Sequence, residues 1–370
     1  MARLSGMGRL ERYVLVRSFA GVGAALAVIT AAILLAQFVD LSRSVGVRAD
    51  VGVTDLFFLT LLKGPSLLLQ SLPFVFLFGG MSAYVGMNRS SELVAMRAAG
   101  VSAWRFILPS AAAAGIVGLL VITIANPIAS TFSARFEIER TSLMENYLTD
   151  APKDVWLRQG DDRNQIVIHA RSRDIYQGSV RLRGVSLFVY QKDAKGAPQF
   201  KRRLEAAEAR LQPGFWRLTD VQEATAGESS VRSDSLSIRS SLDAESAMER
   251  FSSPDAVAFW RLPTAIRVTE DAGFSANGYR LRLQQLLATP LQYAGMLILA
   301  AAFSLRLVRL GGLAGLVGAG VAIGFVFFFF TQFSGALARA DILPLVAAAW
   351  APPLVAVLSG VMLLCYTEDG

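Results

Sequence analysis

The chain is poor in the residues that carry most chemistry. Cysteine occurs once, as Cys365, and histidine once, as His169. A single thiol rules out an internal disulfide, so any domain outside the membrane must cohere without one. The lone His169 lacks ligand partners at metal-binding spacing and, in a strand-like run, reads as structural. No G-x-x-x-x-G-K-[ST] phosphate loop, G-x-S-x-G elbow or H-E-x-x-H pair occurs, so ATP hydrolysis, serine-hydrolase and zinc-protease chemistry have no carrier here. If energy is used, another chain supplies it. Charge is scarce too: 18% of residues are charged and 53% hydrophobic, too apolar for an ordinary soluble chain of this length.

What the chain has instead is long apolar runs. Six of them reach the ~20 residues that cross ~30 Å of hydrocarbon as a helix, the form that satisfies every backbone donor and acceptor internally. They are Phe19 to Val39, Leu56 to Met87, Trp104 to Asn126, Leu286 to Leu305, Leu313 to Phe333 and Pro344 to Tyr366. The first is too long for a secretory signal, and no small-x-small cleavage site follows Leu35, so it reads as a permanent span. Orientation follows the arginines of the short loops. Arg3, Arg9, Arg12, Arg17, Arg89, Arg97, Arg105, Arg306 and Arg309 fall on one side, against Arg43, Arg48 and Arg339 on the other. This predicts cytoplasmic termini and a large insert outside an inner membrane.

The spans fall three plus three: an N-terminal half (1–127), an insert (128–282) and a C-terminal half (283–370). The insert carries 23 basic and 21 acidic residues, nearly neutral and without the basic footprint of a nucleic-acid binder. Short β-rich runs, Gln165 to Ala170, Val180 to Gln191 and Phe215 to Val221, are separated by Gly, Asp and Pro turns. They predict an antiparallel all-β domain, a sandwich or jelly roll, entered by a polar helix around Ser133 to Tyr147. Ala226 to Ser241, rich in Ser and charge, predicts an exposed hairpin or loop.

The connection between the second and third spans reads Arg89-Ser-Ser-Glu-Leu-Val-Ala-Met-Arg-Ala-Ala-Gly100. Ser90 or Ser91 suits a helix start, Glu92 a first turn, and Gly100 a left-handed stop. The spacing predicts a short cytoplasmic helix over 90–100, with Leu93 and Met96 on one face and Arg97 beside them. Such a helix either inserts an apolar knob into a cleft on an ATPase or rests on lipid headgroups. Physics alone does not choose between the two.

The run Ser91-Glu-Leu-Val-Ala-Met-Arg-Ala-Ala-Gly100 resembles the coupling-helix signature of the permease family of the lipopolysaccharide export ABC transporter, whose paired members are LptF and LptG. Phe38-Val39-Asp40 followed by Gly46, Tyr279 with Pro290, and the three-plus-three layout agree with it. The Asp40 element and the Arg-Ser-Ser-Glu-Leu form are nearer LptG than LptF. The resemblance implies a non-catalytic subunit paired with a homologous permease on a cytoplasmic ABC ATPase homodimer that holds ATP and Mg. It also implies a single-span LptC, a periplasmic bridge LptA, and a jelly-roll domain that passes lipopolysaccharide toward the outer membrane. Carried over by position, Glu92 contacts the ATPase through a charged pair, Leu93 and Met96 fill its groove, Arg97 flanks them and Gly100 ends the helix.

A lipopolysaccharide site needs cations at the outer interface above an apolar cavity. Arg43 and Arg48 lie just outside the first span, and the resemblance implies a phosphate contact for Arg43. Counting back from Met87 at 1.5 Å per residue lifts Lys63 about 36 Å, to the same interface. Arg135 follows the third span. Each is equally a snorkelling or topology-setting charge. Phe74, Phe78 and Phe327 are candidates for an acyl-chain wall, or for plain helix packing. Gly311/Gly315 and Gly320/Gly324 are close-approach pairs, with the partner permease as one candidate surface. Two rival readings stand beside this one. The first is an ABC permease for another amphiphile, such as lipoprotein, although that type places its outer domain after the first of four spans. The second is a membrane-anchored scaffold that transports nothing.

Overall fold

A computed structural model describes residues 8–46, 51–144, 155–160, 164–176, 179–192, 198–212, 214–225, 229–240, 256–271, 275–307 and 313–368. Six of its helices are long and apolar enough to cross a membrane, and a β insert separates the third from the fourth. The protein is a multi-pass helical membrane protein with an inserted β domain.

The helices are α1 (Arg9–Leu41), α2 (Val53–Arg89), the short α3 (Glu92–Ala98), α4 (Ala103–Leu120), α5 (Asn126–Met144), α6 (Leu262–Asp271), α7 (Asn277–Leu307), α8 (Leu313–Arg339) and α9 (Leu345–Glu368). A π turn at Val121–Ala125 joins α4 to α5, so the third span and the polar helix after it form one helical column. Pro65 and Pro73 lie inside α2, and Pro352 and Pro353 inside α9. Both helices continue through their prolines, since neighbouring helices and Ser hydroxyls can serve the freed carbonyls. Ser66 and Ser71 donate at 2.9 Å to the Lys63 and Leu67 carbonyls, near but not at the Leu61 and Leu69 carbonyls that the prolines free.

The centre of the bundle is α7, where Met296 to Ala302 are all buried. The periphery is α1. In lipid, helices associate through close van der Waals approach rather than hydrophobic drive, which favours glycine at crossings. A Cβ on Gly79 would stand 2.4 Å from the Val22 Cα, and one on Gly21 2.4 Å from the Gly79 carbonyl oxygen. The backbones of α1 and α2 therefore touch. The Gly320/Gly324 pair is used within this chain: it receives Met81 and Phe78 of α2, not a partner. Gly311 lies outside the described residues.

In the insert, β1 (Val155–Gly160), β2 (Asn164–Tyr176), β3 (Ser179–Lys192), β4 (Pro198–Gln212), β5 (Phe215–Thr225) and β6 (Val231–Arg239) form one antiparallel sheet in consecutive order. The expected β domain is present. Its described strands make a meander, without the crossing connections from which a double-sheet jelly roll is built. Ala226 to Ser241 contributes β6, so the hairpin alternative holds there. The ladders skip one row across five strands: Arg171, Gly184, Ala207, Asp220 and Asp234. Gly184 and Asp220 have positive φ in that row. The burial phase shifts there, from Leu182 to Val185, Ala206 to Ala209 and Leu218 to Val221. The extra residue keeps one face buried while bending each strand, and the single sheet thereby folds over its own core, whose largest fully buried side chain is Trp216.

Candidate functional site

Chain geometry sorts the ends of the bundle. The start of α1, the α2–α4 connection and the end of α9 meet at one end. The β insert and the α8–α9 connection lie at the other, where Asn277 donates to Asp341 at 2.7 Å.

At the first end stands α3, bound on three sides. Glu92 accepts hydrogen bonds from the Tyr13 hydroxyl of α1 and the Ser90 hydroxyl, both at 2.8 Å. These two donors hold its carboxyl below the usual carboxylate range, with the Ser90 bond the larger cause. Arg97 donates to the Thr367 carbonyl at 2.9 Å, placing a guanidinium on the negative end of α9. Arg105 of α4 pairs with Glu11 at 3.0 Å. Gly100 has φ +81, and its N–H and that of Val101 reach back to Arg97 and Met96 carbonyls: the left-handed stop expected from sequence.

Three expectations about this helix change. It spans Glu92–Ala98 rather than 90–100. Ser91 holds the cap position in a left-handed conformation without a side-chain cap bond, and the Ser90 hydroxyl goes to Glu92 instead. Leu93, expected as an outward knob, is fully buried in the helical core, with Met96 half-buried against it. A seven-residue helix lying on a bundle buries the face its larger apolar residues share, and the large apolar residue left exposed is Val94.

At the opposite end, Leu41, Leu56, Leu59, Leu62 and Phe136 form a small core between α1, α2 and α5. Arg43, Lys63 and Arg135 flank its members in sequence. Arg43 and Arg135 are exposed; the Lys63 ammonium sits 5.1 Å from the centroid of the Phe136 ring, a cation–π contact. Arg48 lies outside the described residues. Phe78 packs beside Gly320 and Gly324. The His169 ring lies tilted against that of Trp156, centroids 4.4 Å apart.

Phe74 and Phe327 line a cavity of about 260 Å³ between α2, α7, α8 and α9. Its polar lining includes Gln70, Asn126, Arg282, Gln285, Thr289, Gln292, Tyr293, Thr331, Gln332 and Arg339; of these the sequence marks only Arg339, as a topology-setting charge. A signal for them existed. Arg282, Gln285, Thr289 and Gln292 recur at three- and four-residue steps, one polar face on an otherwise apolar span.

Comparison with known proteins finds relatives along nearly the whole chain. The chain is 23% identical over 341 residues to the lipopolysaccharide export system permease protein LptG of Escherichia coli K12, covering 89% of this chain and 90% of the relative. The same protein from Escherichia coli O6:H1 matches to the same extent. The family description, lipopolysaccharide export system permease LptF/LptG, matches residues 12–366. Both halves of the bundle, the β insert and the Glu92 helix fall inside that match, and the chain therefore belongs to the lipopolysaccharide export system permease LptF/LptG family.

Proposed function

We propose that this chain is the LptG-like permease subunit of an ABC transporter that extracts lipopolysaccharide from the inner membrane and delivers it to a periplasmic bridge. The observation that carries the coupling step is the fastening of α3: Glu92 to α1 through Tyr13, and Arg97 to the end of α9. A push on this helix reaches the peripheral helix and the last span without an intervening loop. In this reading the termini and α3 are cytoplasmic, the β insert is periplasmic, and an ATPase homodimer with ATP and Mg docks on Glu92, Arg97 and the exposed Val94. Leu93 and Met96 serve as the root of the helix rather than its tip.

A homologous permease of the LptF kind completes the membrane chamber. Arg43, Lys63 and Arg135 form the cationic rim for the lipid phosphates, and Phe74 and Phe327 the acyl wall. LptC and LptA continue the route. No covalent step falls to this chain. Its work is to bind, orient and expel the lipid as the chamber narrows.

Reconstitution of the complex in proteoliposomes tests this reading. Glu92→Ala should uncouple it, lowering lipopolysaccharide release at least tenfold while the ATPase still assembles. Unchanged ATP hydrolysis and release would favour a membrane-anchored scaffold instead.

A further inference from the structure

The return leg of the β insert reaches the bundle through the turn Phe259–Arg261 and α6, and its seat there is specific. The Phe259 N–H donates to the Asn126 side-chain oxygen at 2.8 Å, and the Trp260 indole N–H donates to the Thr123 carbonyl at 3.1 Å. Both acceptors lie where α4 widens into α5: the Asn126 N–H reaches the Val121 carbonyl, five residues back. Widened turns of this kind recur where a helix carries a function. Next along the leg, Leu262 and Ala265 are buried in one cluster with Ile122 of the third span and Leu286 of the fourth.

Two helical columns give the depth of that seat. From Arg105, whose ion pair with Glu11 stands at the α3 end of the bundle, Thr123 is eighteen residues away, about 27 Å. On α7, Leu286 lies nineteen residues from Leu305, about 28 Å. Either count reaches the far border of a hydrocarbon core ~30 Å thick, on the side that bears the β insert. From there α6 climbs away. Glu270 near its end pairs with Arg280 at 2.6 Å, six residues beyond Leu286 and about 9 Å further from the core. Only the 259–261 turn stands at the border itself.

At that border Trp260 leaves 63% of its surface uncovered. Its one polar atom is bonded to Thr123, so the indole shows a bare ring, set edge-on to Phe259 with centroids 5.0 Å apart. Arg261 beside it is exposed. An indole whose N–H is already satisfied gains little from water. A ring next to a guanidinium matches the boundary between acyl chains and headgroups, where amphipathic side chains collect.

We infer that the Phe259–Trp260–Arg261 turn is a lipid-interface anchor: it seats the return leg of the β insert on the bilayer surface, with the Trp260 ring at the acyl–headgroup boundary and Arg261 toward the headgroups. The contact is with bulk lipid outside the six spans, apart from the acyl wall and cationic rim, and it needs neither a partner permease nor a transported molecule.

Fluorescence of the full chain in phosphatidylcholine nanodiscs tests it, Trp260 being read as the difference between wild type and W260F. Lipids brominated near the headgroup end of the acyl chain should quench that difference at least twofold more strongly than lipids brominated at the chain terminus. Acrylamide in the water should quench it at least threefold less than it quenches free N-acetyltryptophanamide. Amide exchange over residues 259–268 should be at least threefold faster in W260E than in W260F. The phenylalanine keeps a ring for the lipid while giving up the bond to Thr123, which separates loss of lipid contact from loss of that bond. A difference signal that neither brominated lipid quenches, or that the chain-terminal bromines quench more, would overturn the inference. So would acrylamide quenching equal to that of the free amide, or equal exchange in W260E and W260F. Because the readout is the isolated chain in lipid, it stands or falls separately from ATPase coupling and lipopolysaccharide release.

Discussion

The contact between α1 and α2 gives the sharpest mechanical prediction. A methyl group at Gly79 would lie 2.4 Å from the Val22 Cα and 2.7 Å from its nitrogen. Ordinary van der Waals contact begins at 3.4 Å, so the helices must separate by about 1 Å. The obstructing atoms are backbone and no rotamer change relieves them. Overpacking of this kind costs about 1–3 kcal/mol. At 2–4 °C per kcal/mol for a large domain, Gly79→Ala should lower the melting temperature of the full chain in detergent by about 2–12 °C. Gly21→Ala should do the same, its Cβ standing 2.4 Å from the Gly79 carbonyl oxygen. Gly23 is the internal control, with nothing within 4 Å of its Cβ position, so Gly23→Ala should leave the melt unchanged or slightly raised. A Gly79→Ala melt equal to wild type, or a Gly23→Ala melt equally lowered, would refute the crossing geometry.

Three further outcomes follow from residues already placed. Trp216→Ala, which removes the largest fully buried side chain of the sheet's core, should cost about 3–5 kcal/mol and open the β insert to limited proteolysis while the helices remain protected. Gly184→Val forces a β-branched residue to φ +59, against the Arg171 side chain at 3.0 Å. It should destabilise the same domain by about 1–3 kcal/mol, read as faster proteolysis. Because Glu92 is held below its ordinary 4.5, the stability it contributes is present above that value and is lost as pH falls through the lowered one. The melting difference between wild type and Tyr13→Phe should accordingly be constant from neutral pH to about 5 and shrink below 4.5; a difference that grows on acidification would contradict the Tyr13–Glu92 bond.

Much of the architecture is written in the sequence because a bilayer leaves few alternatives to long apolar helices. The strands were legible where alternation was clean, as at Val185, Leu187 and Val189 of β3. Strand β4 was not. Its outer face carries Lys201, Arg203, Glu205 and Arg210 with the half-buried Glu208, and half its buried face is alanine, a composition that suits a helix as well. The skipped row was invisible because it is a property of five strands in register, and only Gly184 hinted at it. At α3 the residue types and the Gly100 stop were readable, but the direction of Leu93 depends on the bundle beneath it. The polar cavity is legible only as a stripe on α7, because the residues of α2, α8 and α9 that close it are brought to that stripe by bundle packing alone.

The central claim is that α3 and the β insert lie on opposite sides of one membrane. In a Cys365→Ser background, S91C at the start of α3 and S230C before β6 can each be treated with a membrane-impermeant maleimide in spheroplasts. S230C should label at once and S91C only after permeabilisation. Labelling of both positions from the same side would contradict the account.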